Sequence, residues 1–198
     1  MSSEGPRGEV TVEEPTAAER AVARRAAESR ATVPSLELSV ELATGGAFTT
    51  GRLVRACALA LAEHPRANAA YRDGRFELYS RVNVGVVVAA PDTYAIPTVF
   101  DADLEPLDEL EREITRLETD TIAGTLTAPA FGAATFTVWN VSGLGIAAAS
   151  IPVVPPQAAA LAAGTGALTL CCDHRILYGV RAAAFLETIA HNLDRDRV

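Results

Sequence analysis

The sequence contains no lysine, because all 17 of its basic residues are arginine. Without a side-chain amine the chain cannot carry lipoate or biotin, and it cannot form a Schiff base. The formal net charge is −8, and no long run of basic residues occurs. Nucleic acids and anionic membrane surfaces bind clustered cations, so we expect neither of them as a partner.

Cysteine is scarce as well, and the three cysteines form no Cys-x-x-Cys pair. Cys171 and Cys172 are adjacent, and adjacent cysteines cannot readily bridge each other without strain. We therefore expect reduced thiols that serve as small core residues, as in a cytoplasmic protein. The three histidines are far apart in the sequence and have no matching acidic pair, so we expect no metal site.

Long apolar runs are absent. No stretch reaches the roughly 18 apolar residues of a membrane span, and the N-terminus has no apolar signal core, so we expect a soluble, cytoplasmic chain. Residues 1–14 are acidic and rich in Gly, Pro and Ser, which predicts a disordered N-terminal tail. An apolar fraction of 49% can form a sizeable core, so we expect residues 15–198 to form one domain.

Strand and helix patterns alternate along the chain, which predicts a layered α/β or α+β architecture. Thr16 and Glu19 have the spacing of a capping box at the start of the first helix. The near-continuous apolar run over 82–90 predicts a central strand that is covered on both faces. Helices are predicted over about 15–29, 49–64, 107–123 and 179–193, further strands over 36–42, 96–100, 135–141 and 168–172, and a hairpin turn at 72–75.

The stretch over 167–179, ALTLCCDHRILYG, places three polar residues at the end of an apolar strand. His174 at this position can face a cleft, where a neutral imidazole accepts a proton from a thiol or hydroxyl. The alternative is a structural histidine that is hydrogen-bonded in the core. Asp173 and Arg175 flank it, and we expect them to form an ion pair that orients the strand end rather than to react.

Three segments in a fixed order carry a resemblance: FTVWNVSGLG at 136–145, PVVPPQAAALAAG at 152–164 and LTLCCDHRILYG at 168–179. They resemble the catalytic domain of the dihydrolipoyl acyltransferases of 2-oxo acid dehydrogenase complexes, whose relatives include chloramphenicol acetyltransferase. The likeness extends over roughly residues 16–194. It implies a central mixed sheet flanked by helices, a homotrimer, and active sites between subunits.

The family's H-x-x-x-D-G motif matches this chain at His174, so the resemblance implies that His174 is the general base. It also implies that acyl-coenzyme A enters by a channel from the opposite side, as the acyl donor. No metal or lipoate is expected in the reaction of this chain, and its substrate is expected to be a small molecule.

Two departures from the family pattern bear on the mechanism. Tyr178 replaces the motif aspartate, and Trp139 replaces a serine whose hydroxyl stabilises the oxyanion. Removing one oxyanion donor costs roughly 3 to 4 kcal/mol in well-studied enzymes. Ser142 or Asn140 could supply the missing donor, and Trp139 and Gly143 are expected to line the acceptor pocket. These residues also have simpler interpretations. Ser142 is then a loop serine, Asn140 a turn-capping amide and Trp139 an apolar strand residue. Tyr178 is then a packing residue instead of one that orients the site.

The sequence thus predicts a stand-alone coenzyme A-dependent acyltransferase, most simply one that moves an acetyl group from acetyl-coenzyme A to a hydroxyl of a small molecule. A tetronate-type polyketide intermediate, and hence natural product biosynthesis, is one expected context. The main alternative is a binding or scaffold protein that has kept the fold without catalysis. A divergent core of a 2-oxo acid dehydrogenase complex is a third hypothesis.

Overall fold

A computed structural model describes residues 8–43, 45–90 and 93–195 of the chain. Within these ranges, ten strands form one mixed sheet and two small hairpins, and four α-helices accompany them. The elements in chain order are α1 (Ala17–Thr32), β1 (Ser35–Glu41), α2 (Thr50–Glu63), β2 (Ala69–Arg72), β3 (Arg75–Leu78), β4 (Val84–Val86), β5 (Val88–Ala90), β6 (Thr93–Ala95), β7 (Thr98–Val99), α3 (Leu107–Ala123), β8 (Phe136–Asn140), β9 (Ala159–Ala163), β10 (Ala167–Asp173) and α4 (Val180–Arg195).

The main sheet has six strands in the order β1-β10-β9-β8-β4-β7. The β1–β10, β10–β9 and β4–β7 pairs are antiparallel, whereas β9–β8 and β8–β4 are parallel. Hairpin β2–β3 and hairpin β5–β6 each form a separate two-stranded sheet. The predicted architecture, a central mixed sheet flanked by helices, is confirmed.

Helices α2, α3 and α4 cover one face of the sheet and enclose the main core. Helix α2 lies in the middle, in contact with both α3 and α4. Phe136 of β8 and Phe185 of α4 are fully buried there, and their rings meet edge to face at 5.8 Å. Burying a side chain of this size stabilises the fold by about 1.5 to 3 kcal/mol, so this layer holds the sheet and helices together.

An extended segment around residues 149–153 covers part of the opposite face. Ile151 packs on Ala160 and Ala162 of β9, and Val153 packs on Cys171 of β10. The alanines of β9 are fully buried, so their small side chains let this segment lie close to the sheet.

The helix boundaries follow the sequence signals closely. Thr16 and Glu19 form the predicted capping box at the start of α1. Thr49 caps α2 by accepting a hydrogen bond from the Arg52 backbone N–H, and the helix ends at Glu63, with His64 as its C-cap before a proline. Helix α3 spans the predicted residues, and Gly124 ends it in a left-handed conformation with φ 67°.

The prediction of one continuous strand over 82–90 was wrong. The run divides at Val87 into β4, which belongs to the main sheet, and β5, which leaves it to pair with β6. Apart from Asn83, every residue of the run is valine, alanine or glycine, so hydrophobicity alone does not show where the chain leaves the sheet. The strand predicted over 96–100 is also shorter than expected, because only Thr98 and Val99 pair in it.

Two further expectations concern segments outside the core. Residues 1–7 of the predicted tail lie outside the described residues, and residues 9–14 form neither helix nor strand. Within the described ranges, no helix is both long enough and apolar enough to span a bilayer.

Gly164, in the turn between β9 and β10, gives a test of how tightly the loop after β8 packs against the sheet. A Cβ atom at this position would lie 2.3 Å from the backbone oxygen of Ala147, which cannot move aside as a flexible side chain could. We expect Gly164→Ala to lower the free energy of unfolding by about 1 to 3 kcal/mol, measured by urea denaturation. Gly132→Ala is the matched control, since its nearest neighbour is 4.0 Å away. Equal stability of the two variants would contradict the predicted clash.

Candidate active site

The turn that carries His174 is held between two neighbouring segments. The backbone N–H of Asp173 donates to the Ala158 carbonyl at 2.8 Å, and the backbone N–H of His174 donates to the Pro34 carbonyl at 2.8 Å. The chain is therefore fixed on both sides at the point where β10 ends.

Asp173 and Arg175 form the predicted ion pair across this turn. The Asp173 side chain is buried and accepts hydrogen bonds from the Arg175 backbone N–H at 3.0 Å, from Nε at 2.9 Å and from a terminal guanidinium nitrogen at 2.6 Å. Hydrogen bonding to this carboxylate raises the pKa of Arg175 above its usual value. A buried carboxylate needs such compensation, so the pair locks the backbone around His174.

The imidazole of His174 is exposed, and no residue within the described ranges hydrogen-bonds to it. The other two histidines lie on helices or at their ends. His64 is bonded to Thr188 at 2.9 Å and packs against the ring of Phe185, while His191 is exposed on α4. His174 is thus the histidine that follows a central strand and has both ring nitrogens available.

Tyr178 lies at the junction between this turn and α4. Its side chain is 46% exposed, and its carbonyl accepts a hydrogen bond from the Arg181 backbone N–H at 3.2 Å. Gly179 follows with φ 50°, a conformation that favours glycine. The structure therefore leaves the Tyr178 phenol at the surface of this chain, beside the His174 turn, and its orienting role stays a prediction.

The second group of predicted site residues follows β8. Asn140 donates to the Phe48 carbonyl at 2.9 Å and to the Thr50 hydroxyl at 3.3 Å. The Ser142 hydroxyl donates to the Asn140 side-chain oxygen at 2.7 Å and accepts from the Phe48 backbone N–H at 3.3 Å. The two side chains therefore join the end of β8 to the start of α2.

This network bears on the oxyanion hypothesis, because the Ser142 side chain is 2% exposed and its hydroxyl proton is already donated. Trp139 is half-buried and packs with Ile151 on the face of the sheet opposite the helices. Gly143 is exposed, with open space around its Cα. The structure gives Ser142 and Asn140 a structural function, and their catalytic roles remain predictions.

A single chain keeps the two groups apart. Asn140 is paired with Ala163 at one end of the sheet, whereas Asp173 meets Ala158 at the other end. Ala158 and Ala163 are five residues apart along one strand, which places the groups on the order of 16 Å from each other. His174 can therefore meet Trp139, Asn140 or Ser142 only if the latter come from another copy of the chain.

The expectations on metal binding and on the cysteines concern side chains near this site. Within the described residues, no group of three His, Cys, Asp or Glu side chains is placed to hold a metal ion. Burial raises the pKa of the Cys171 thiol to about 11 and that of Cys172 to about 12. Both thiols stay protonated at neutral pH, and a protonated thiol is a poor nucleophile.

Two residues that contact the site were not predicted from the sequence. Phe48 provides the backbone groups that bind Ser142 and Asn140, and the ring of Tyr71 lies 4.9 Å from the guanidinium of Arg175. Both contacts join segments that are about a hundred residues apart, and no local pattern marks them. The one available signal was the position of Tyr71 in the strand before the predicted hairpin turn.

The profile of the 2-oxoacid dehydrogenases acyltransferase family (catalytic domain) matches residues 47–196 of this chain. The chain belongs to this acyltransferase family. Component 3 of the pyruvate dehydrogenase complex dihydrolipoyllysine-residue acetyltransferase from Arabidopsis thaliana is 31% identical over 155 residues, which cover 68% of this chain and 29% of that protein. The Dictyostelium discoideum enzyme is 27% identical, over 85% of this chain and 32% of its own length. The chain thus spans about a third of the curated relatives it matches.

Solved structures of the acyltransferase family show the same fold. A probable dihydrolipoamide acetyltransferase from Listeria monocytogenes superposes with a TM-score of 0.89 at 22% identity, covering 94% of this chain and 95% of that one. The Azotobacter vinelandii dihydrolipoamide acetyltransferase, in which a serine, a histidine and an asparagine have been investigated for roles in catalysis, gives 0.90 at 22% identity, with 96% and 94% covered. A chloramphenicol acetyltransferase gives 0.58 at 16% identity, with 86% and 94% covered.

The Ser142 network predicts a loss of stability on truncation. Ser142→Ala removes the acceptor for the buried Phe48 N–H, so we expect the free energy of unfolding to fall by about 1 to 2 kcal/mol in urea denaturation. Ser150→Ala, at an exposed serine, is the control and should leave it unchanged. If Ser142→Ala is as stable as the control, the hydrogen bonds around Ser142 do not stabilise this junction.

Proposed function

We propose that this domain is a coenzyme A-dependent acyltransferase that transfers an acetyl group to the hydroxyl of a small molecule, with His174 as the general base. The observation that carries the proposal is the exposed, unpartnered imidazole on a turn fixed by the Asp173–Arg175 pair. Membership of an acyltransferase family supports the reaction type.

The chemistry requires one proton transfer in each direction. Neutral His174 accepts the proton of the acceptor hydroxyl while the hydroxyl oxygen attacks the thioester carbonyl carbon. The carbon–sulfur bond then breaks, and protonated His174 returns the proton to the departing coenzyme A sulfur. Asp173 does not take part in this proton transfer, because its carboxylate accepts hydrogen bonds from Arg175. Its role is to hold the turn.

The proposed assembly is a homotrimer with each site between two subunits. The separation of His174 from the Trp139–Ser142 segment within one chain supports a shared site. In such a site one subunit provides the base and its neighbour provides the pocket. Trp139 then narrows the acceptor pocket. Asn140 lines this pocket on the side that is nearest to the start of α2.

The relatives favour a second acceptor. Their names describe dihydrolipoyllysine-residue acetyltransferases of pyruvate dehydrogenase complexes, and a dihydrolipoyl group carries thiols. Mass spectrometry of acetyl transfer to dihydrolipoamide, beside a panel of small alcohols, separates the two acceptors. Transfer to the thiol alone would replace the hydroxyl acceptor with the 2-oxo acid dehydrogenase reaction.

A non-catalytic binding function is the third candidate. Two observations favour it. Trp139 has no hydroxyl to stabilise an oxyanion, and the Ser142 hydroxyl already donates its proton to the side chain of Asn140. Binding of acetyl-coenzyme A in calorimetry, with no transfer to either kind of acceptor, would favour this function over catalysis.

The role of His174 predicts a large and selective loss of rate. General acid–base catalysis contributes about 100- to 10,000-fold, so His174→Ala should lower kcat by that factor while the melting temperature stays unchanged. His191→Ala, at an exposed position of α4, is the matched control and should keep full activity. Steady-state release of coenzyme A measures both variants. An active His174→Ala enzyme would remove His174 from the mechanism.

The shared site predicts that activity depends on assembly. Sedimentation velocity should show a trimer, and the rate per chain should fall as dilution dissociates it, because a separated chain holds only one half of the site. A monomer that retains the full rate per chain would show that the site is complete within one copy.

A further inference from the structure

The guanidinium of Arg175 is held on two sides by two different kinds of group. Its edge donates to the buried carboxylate of Asp173, at 2.9 Å from Nε and 2.6 Å from a terminal nitrogen. Its carbon lies 4.9 Å from the centre of the Tyr71 ring. A planar cation is attracted to an aromatic ring because the face of the ring is negatively polarised. The carboxylate and the aromatic ring therefore both hold the guanidinium, each through a different type of interaction.

Tyr71 is itself supported on the hairpin that it belongs to. Its ring lies 5.5 Å from the ring of Phe76, its partner in the β2–β3 pairing, and the guanidinium of Arg66 lies 3.4 Å from the Phe76 centroid. The four side chains therefore form a continuous series from Arg66 to Arg175, which we term the hairpin stack. It consists of Arg66, Phe76, Tyr71 and Arg175.

The hairpin stack is anchored to the main sheet next to Tyr71. Ala70 forms an isolated antiparallel bridge with Gln157, and the Gln157 side chain accepts a hydrogen bond from the buried Thr137 hydroxyl at 2.7 Å. Thr137 belongs to β8. The sheet thus fixes the backbone next to Tyr71, and the Tyr71 ring in turn contacts Arg175.

We propose that Tyr71 is a positioning residue for the candidate base: its ring, acting through Arg175 and Asp173, fixes the direction in which the His174 imidazole points. This inference rests on the proposed function of His174. Tyr71 does not touch the reacting atoms. Its aromatic face keeps the guanidinium in the plane in which it donates to both carboxylate oxygens of Asp173, and that pairing holds the turn around His174.

The kinetic test compares three variants. Tyr71→Leu removes the aromatic face, and we expect kcat to fall about tenfold, with the KM for acetyl-coenzyme A changed less than about twofold, because a misplaced base slows chemistry rather than binding. Tyr71→Phe keeps the ring and should retain the wild-type rate. Tyr94→Leu is the matched control, since it makes the same change at a partly exposed tyrosine of hairpin β5–β6, outside the hairpin stack.

A second readout does not depend on activity. The chain has three histidines, so nuclear magnetic resonance of histidine-labelled protein gives three sets of imidazole signals, of which the one lost in His174→Ala is that of His174. We expect Tyr71→Leu to shift the His174 signals and leave those of His64 and His191 in place. If Tyr71→Leu does not fold, Tyr71→Met fills the same space without an aromatic face and carries the same expectations.

The outcomes separate the inference from the proposed function. If no acceptor is acetylated by the wild-type protein but Tyr71→Leu still shifts the His174 signals selectively, the proposed function fails and the positioning by Tyr71 stands. If the wild-type protein is active and Tyr71→Leu changes neither kcat nor the His174 signals, the positioning inference is overturned. Equal shifts of all three histidines in Tyr71→Leu and Tyr94→Leu would indicate general loosening of the fold and would also overturn it.

Discussion

The arrangement of this domain depends on the burial of one carboxylate, that of Asp173, at the end of a strand paired on both sides. Strand β10 lies between β1 and β9, so its last residue cannot turn towards water without breaking backbone hydrogen bonds. An unpaired charge in such a place costs several kcal/mol, and Arg175 removes most of that cost by donating three hydrogen bonds. The residue between them has its backbone fixed but its side chain exposed.

Much of the fold could be predicted because the local signals agree with the final structure. The capping box at Thr16 and the proline after His64 determine helix ends through interactions within a few residues, and the structure reproduces them. The run over 82–90 failed for the opposite reason. The point at which this run leaves the main sheet depends on its pairing partners, β8 for β4 and β6 for β5. A local sequence pattern contains no information about these partners.

The candidate site could be predicted in part only. The end of β10 marks His174, Asp173 and Arg175 because charged residues that follow an apolar strand are visible in the sequence. The partners of Asn140 and Ser142 are not visible, since Phe48 binds them through backbone atoms that any residue possesses. Spacing also cannot show that the two halves of the predicted site lie at opposite ends of the sheet. That fact follows from strand direction and register.

Strand β9 has a consequence for which sequence changes this domain tolerates. Alanine occupies four of its five positions, and all five are buried. Helices pack on one face of β9 and the segment around Ile151 packs on the other face, so neither face has space for a larger side chain. Sequence drift is therefore confined here to residues of similar volume, while α1, with a single buried residue, is free to diversify. Small side chains in β9 thus allow both layers to lie close to the sheet.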